Sequence, residues 1–442
     1  MRETFTSRLG VLATMIGVAV GLGNVWRFPY MVGRFGGAAF VVFYVAGAIL
    51  VGVPALMAEW ALGRHTRRGP VGAFEKAGVP GGRLLGWTFF VTVTAATAYY
   101  TDAIGWVVYH GLAQAAGLVG VGVDASAILP PERGLDGRSL GLQLTCSAAV
   151  IVACAAVLLR GLRRGIERVS RVVTPLLFVI LAILILRSLT LPGAGAGLRW
   201  YILKFDPGSF TGSVAVAALG QVVFSLALGG TFMVIYGSYL GEDEALGPNA
   251  LWTVVGDTGA GLLAGLAVFP AVFAFGLEPG GGPGLIFATL PEIFGRLPAG
   301  GLFGALFFLA LAAAAFLSDV AAFEALVAGL TDNTRIPRKR AVWLVAAAVL
   351  VLAVPPMLNM RVFVPWDLTF GSGAQTVGAL AAAATVGWAL ARGPVLKELA
   401  ADGSTGFPLF LYFWIRFAIP GAILAVGVWW ALTDVLGAIP AV

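Results

Sequence analysis

The strongest constraint on this chain is the recurrence of apolar runs long enough to cross a bilayer. A spanning helix needs about 20 mainly apolar residues. Runs of that kind lie at roughly 8–33, 38–63, 84–118, 140–159, 168–190, 211–240, 250–277, 301–330, 339–355, 368–391 and 407–436. Lipid offers no hydrogen bonds, so each run must pair its own N–H and C=O groups, and a helix does this. The expected fold class is an all-α integral membrane protein of about eleven transmembrane helices, forming a single membrane domain over 1–442. The stretch 284–298 is amphipathic and reads as a re-entrant or surface helix between spans seven and eight. Composition agrees: 59% of the 442 residues are hydrophobic and 11% charged, against about 25% charged in soluble domains.

The charges orient the spans. Arg2 and Arg8 precede span one, and Arg64, Arg67, Arg68, Lys76 and Arg83 lie between spans two and three. Arg160, Arg163, Arg164, Arg168 and Arg171 lie between four and five. Arg335, Arg338, Lys339 and Arg340 lie between eight and nine, with Arg392 and Lys397 between ten and eleven. These loops fall on one side and hold 18 of the 28 basic residues. The positive-inside rule then puts the N-terminus in the cytoplasm, and an odd number of spans puts the C-terminus outside. The expected location is the cell's inner (plasma) membrane, multi-pass. The first run has no cleavage site followed by a soluble domain, so it is expected to remain as a span.

Several function classes drop out. Cys146 and Cys154 lie in one apolar run and give neither a disulfide framework nor a cysteine metal site. His65 and His110 stand apart, so no histidine cluster is available. Basic residues are scattered between apolar runs and describe topology, not a nucleic-acid surface. No nucleophile–base pair or phosphate loop suggests an enzyme.

Two spans break helix chemistry at their midpoints. Span one contains Gly17, Gly21 and Gly23, and span six contains Ser225-Leu-Ala-Leu-Gly229-Gly230-Thr231. Single glycine pairs also serve close helix packing. Two clusters in matching places, with polar residues alongside, point instead to unwound segments lining a cavity. These are the first spans of two sets of five, the arrangement of an inverted repeat with a site at the bilayer midplane. Repeat one covers about 8–190, repeat two about 211–391, and an extra helix about 407–436.

At these residues the chain resembles the neurotransmitter:sodium symporter family. The resemblance rests on Arg8-Leu-Gly, Gly21-Leu-Gly-Asn24-Val-Trp-Arg27-Phe-Pro29, Gly36-Gly-Ala-Ala-Phe40, Pro54 and Glu59-Trp-Ala-Leu-Gly-Arg64. Tyr99-Tyr100, Gly161-Leu-Arg-Arg-Gly-Ile-Glu167, Gly220-Gln-Val-Val-Phe-Ser225 and Ala264-Gly-Leu-Ala-Val-Phe-Pro270 extend it. It covers residue 2 to about 435 and is weak in spans nine to eleven. It implies sodium-driven uptake of an amino acid or related small carboxylate by alternating access, with one or two sodium ions as the coupled cation.

The resemblance assigns a first sodium site to the carbonyl of Ala19, the side chains of Asn24 and Ser225, and Asp257. A carboxylate there would replace the chloride of animal members, so chloride is not expected. It assigns a second site to the carbonyls of Gly17, Val20 and Ala314 and the hydroxyl of Ser318. Here the chain departs from the family: Leu317 stands where an oxygen ligand is usual. Asp319 follows, about 100° further round the helix. It either restores the ligand, faces the substrate cavity or pairs elsewhere. A proton-coupled or sodium-independent transporter of a cationic amino acid or amine, using Asp319, is the alternative reading, and a transport-dead sensor is another.

For substrate, the resemblance implies carboxylate binding at Leu22, Gly23 and Tyr100. Amine transporters carry Asp where this chain has Gly21, so its substrate is expected to bring its own carboxylate. The side-chain pocket would comprise Ala96, Phe224, Ala227, Gly230, Ser318 and Ala322, with Asp319 if it turns inward. Small walls predict a bulky substrate, aromatic or long-chain. As gates, Arg27 would pair with Asp367, steadied by Gln221, and Arg2 with Asp332, supported by Phe5 and Tyr239. Glu59 reads as a structural charge; Asp102 and Glu324 receive no role.

Overall fold

The computed structural model describes residues 3–279, 285–400 and 406–435. Every regular element among them is helical. Seven helices are long and apolar enough to cross a membrane, and nine if each bent pair counts as one span. The 36-residue helix Gly82–Gly117 and the interrupted pair Gly212–Ser225 and Phe232–Gly237 bring the set to a number that fits the expected eleven. The short helix Leu290–Arg296 lies in the link before span eight, where the amphipathic stretch predicted one.

Caps set several helix starts. Ser7 accepts from the Gly10 N–H at the head of span one, Asp136 from Arg138 and Ser139 before span four, and Thr211 from Val214 before span six. Such caps satisfy N–H groups that a helix leaves orphaned.

Both expected breaks are present. Span one runs as Arg8–Ala19, leaves the helix at Val20, and resumes as Gly23–Arg34 with a 54° bend. Span six stops at Ser225 and restarts at Phe232. Gly230 has φ +66, and a Cβ there would lie 2.6 Å from the Gly378 carbonyl oxygen of span ten, so only glycine fits. The two breaks face each other. Helices Gly82–Gly117 (span three) and Gly300–Asn333 (span eight) pack along one another to form the wall beside them. Large apolar side chains such as Val91, Leu186 and Val351 point outward, as lipid requires.

Candidate functional site

Four spans bring polar groups together beneath the break in span one. The Asn24 amide nitrogen donates to Ser225 Oγ (2.8 Å), the Asp257 carbonyl (2.9 Å) and Asp257 Oδ1 (2.8 Å). Ser225 Oγ donates to Asp257 Oδ2 at 2.6 Å, and Tyr44 of span two lies 3.2 Å from the same hydroxyl. Asn24 Oδ1 accepts from the Gly21 N–H at 3.0 Å. All four side chains are buried. The cluster contains one carboxylate and no basic side chain, and the Asn24 amide that donates into it is neutral. Hard oxygen donors around one net negative charge match the chemistry of a small monovalent cation. Ala19, the remaining member of the expected set, borders the cavity beside it.

The second expected set has a different character. Ser318 of span eight reaches across to span one, where its Oγ donates to the carbonyls of Val18 (3.1 Å) and Val20 (3.2 Å). Leu317 points a methyl at Gly17: a Cβ on that glycine would sit 2.7 Å from Leu317 Cδ1. Thr174 of span five, which the sequence reading did not single out, places its hydroxyl next to Gly17 and donates to the Ala13 carbonyl at 2.9 Å.

Between the two breaks lies a cavity of about 110 Å³. Gly23, Ala96, Tyr100, Phe224, Ala227, Ser318 and Ala322 line it, as expected from the sequence. Three expected members do not line it. Leu22 is absent from the wall, and its backbone N–H donates to Tyr100 Oη at 3.2 Å. Gly230 is turned away, because its N–H and that of Gly229 both donate to Glu59 Oε1 (2.9 and 2.8 Å) and its Cα packs on span ten. Glu59 thereby holds the span-six break open. Asp319 is also outside the cavity. Its carboxylate accepts from Thr101 Oγ1 at 3.1 Å and lies 3.6 Å from Cys154 Sγ, behind span three. It pairs elsewhere and neither faces a substrate nor replaces the missing ligand.

The cavity is larger than the expected residues outline. Phe89, Thr92 and Val93 extend it along span three, and Thr231, Phe370 and Gln375 close its far side. The span-three members were available in the sequence: 89, 92, 93, 96 and 100 follow the helical period on one face. Nothing local marked Gln375, which reaches the site because span ten packs on Gly229 and Gly230.

The gates differ from expectation. Among the described residues no ion pair joins Arg27 to Asp367. Arg27 instead stacks on Phe224, its guanidinium carbon 4.3 Å from the ring centre. Gln221 donates to the Gly23 carbonyl at 2.8 Å and steadies the break, not the arginine. Arg2 lies outside the described residues. Its expected partner Asp332 accepts from the Gly69 N–H at 2.9 Å, and its backbone carbonyl accepts from Arg68. Phe5 meets Tyr239 edge-on at 6.4 Å. Tyr239 donates to Glu324, a buried acid that forms an ion pair with the half-buried Arg338 at 2.6 Å. Arg338 also bonds the Leu158 carbonyl, which ties spans four, eight and nine together. Glu324 thus has a bracing role that the sequence did not disclose.

Comparison with known proteins agrees with this geometry. A model of the sodium:neurotransmitter symporter family matches residues 2–116 and 137–426. The uncharacterized sodium-dependent transporter YhdH of Bacillus subtilis is 33% identical over 96% of this chain and 96% of its own length. An uncharacterized sodium-dependent transporter of Haemophilus influenzae is 31% identical over 96% and 97%. The crystal structure of MhsT in complex with L-phenylalanine superposes with a TM-score of 0.82 at 32% identity, covering 97% of this chain and 100% of that one.

Proposed function

The chain belongs to the sodium:neurotransmitter symporter family, and from that premise we propose that it imports a bulky amino acid, aromatic or long-chain, driven by sodium. The cavity between the two breaks is the observation that carries this reading. Gly21, Gly23, Ala96, Ala227 and Ala322 give its wall small members, and its volume of about 110 Å³ approaches the roughly 150 Å³ of an apolar cavity that accepts benzene. A ring-sized side chain suits it. The structural relative bound to L-phenylalanine supports the same size class.

In this reading the substrate carboxylate meets the backbone at Leu22 and Gly23 and the hydroxyl of Tyr100, and the side chain lies among Ala96, Phe224, Ala227 and Ala322. The first sodium ion takes oxygens from Ala19, Asn24, Ser225 and Asp257. Asp257 brings the negative charge, so no chloride is required. The second ion would rest on Gly17, Val20, Ala314 and Ser318, without an oxygen at Leu317, and is therefore held weakly or not at all. Sodium and substrate stabilise the same arrangement of the broken spans, which couples their binding. With Asp319 behind span three, no carboxylate faces the cavity from span eight, which disfavours a cationic substrate. The membrane is the cell's inner membrane, with a cytoplasmic N-terminus and the C-terminus outside.

Uptake of labelled phenylalanine, tryptophan, leucine, alanine and lysine into proteoliposomes tests this. An inward sodium gradient should drive the large neutral amino acids first. Uptake that ignores the gradient, or that favours alanine or lysine, would refute the reading.

A further inference from the structure

Arg392 and Arg416 both stand against Tyr412 at the junction of spans ten and eleven. The chain leaves span ten at Ala389, turns by 116° and continues as Arg392–Leu399 across the end of the bundle. Arg64, at the end of span two, bonds Glu398 of that helix at 2.5 Å, so it lies at the end that carries the 64–83 link. Arg416 stands nine residues into Phe407–Thr433, roughly 13 Å along the axis. Helical side chains lean toward the N-terminus, and Arg416 Nη1 reaches back one turn to donate to Tyr412 Oη at 3.1 Å.

Aromatic rings surround both cations. The Arg416 guanidinium lies 5.7 Å from Trp388 and 5.5 Å from Phe417, and that of Arg392 lies 5.9 Å from Tyr412 and 5.6 Å from Phe413. Neither arginine has an acidic partner among the described residues. Arg416 Nε is buried with no hydrogen-bond partner among the described residues. Trp388, Phe413 and Phe417 point outward at 49%, 44% and 59% exposure, so this face beside the arginines is open to lipid. An arginine at this depth is costly unless an anion neutralises it or it reaches the interface. Ring faces attract the cation but accept no in-plane N–H bonds.

We propose that Arg392 and Arg416 bind the phosphate of an anionic phospholipid, whose acyl chains run along Trp388, Phe413 and Phe417. Guanidinium groups present paired donors that match phosphate oxygens, and basic pockets between spans take such headgroups. The bound lipid braces the bend between span ten and Arg392–Leu399.

Purified full-length protein in neutral detergent is titrated with phosphatidylglycerol or with phosphatidylcholine of the same chains, and thermal stability is read. Two arginines predict roughly a thirtyfold preference for phosphatidylglycerol, falling to within about threefold in R392Q/R416Q. Equal affinities in the wild type, or an unchanged preference in the variant, overturn the proposal. Inorganic phosphate that reproduces the stabilisation at equal concentration also overturns it, because the site would then serve a soluble anion; so does a preference seen only where the protein dimerises. Fluorescence gives a test independent of the arginine variant's folding. Acyl-brominated phosphatidylglycerol should quench the wild type more than brominated phosphatidylcholine does, and that excess should shrink in W388F. No excess, or one unchanged in W388F, overturns the proposal.

Discussion

The two regions where span one meets its neighbours differ in what they offer an ion. Beneath Asn24, side chains from spans one, two, six and seven converge on a carboxylate, with Ser225 and Asp257 2.6 Å apart. Near Gly17, on the other flank of the same break, the facing residue of span eight is Leu317, whose methyl fills the space against the glycine. Backbone carbonyls and the hydroxyls of Ser318 and Thr174 remain there, and Ser318 already donates to the Val18 and Val20 carbonyls. The contrast teaches that unwinding a helix frees carbonyls on both flanks of the break, while the neighbouring side chains decide whether they become an ion site. In the proposed cycle the weight of sodium coupling therefore rests on the Asn24 side.

Removing the carboxylate should break that contrast most severely. Asp257→Ala is expected to weaken sodium binding at least a hundredfold, about 3 kcal/mol, read as the sodium concentration needed for substrate binding; an unchanged requirement would move the ion elsewhere. Asn24→Ala should cost roughly tenfold by the same readout, through one lost polar ligand. Equal effects at Gly17-facing positions would erase the difference between the flanks. Leu317→Thr sharpens it from the other side. An added oxygen should raise sodium affinity by about threefold to tenfold and steepen the sodium dependence of uptake; no change would mean that no ion rests there. Asp319→Asn should have the smallest effect, within about twofold in substrate affinity, since exposed-free sites away from a ligand couple weakly to it. A large loss on that substitution would show that the acid reaches the cavity during transport.

Much of the site was legible in the sequence because a broken span leaves a chemical record. Glycine clusters mark where the backbone leaves the helix, and Asn24 and Ser225 stand beside those breaks in the chain, whereas Asp257, in the unbroken span seven, came from the family resemblance alone. The family resemblance named Ala96, Ala227 and Ala322, and all three line the cavity. The errors share one cause. Gly230 sits among residues that do line the cavity, and only the Glu59 bonds and the approach of Gly378 reveal that it faces away. Asp319 follows Ser318 directly, yet one step along a helix turns a side chain by about 100°, and what it meets there, Thr101 and Cys154, is far away in sequence. Arg27 was matched to Asp367 as an ion pair, whereas its guanidinium stacks on the Phe224 ring.

Order along the chain thus determined the membrane class, the approximate spans, the two interruptions and the kinds of atoms near them, because lipid permits few backbone solutions and glycine records each exception. Tertiary packing alone decided which side chains share a cavity, which acid is satisfied behind a helix, and which glycine touches a neighbouring span. Those outcomes depend on rotations and contacts between segments more than a hundred residues apart, and no local pattern encodes them.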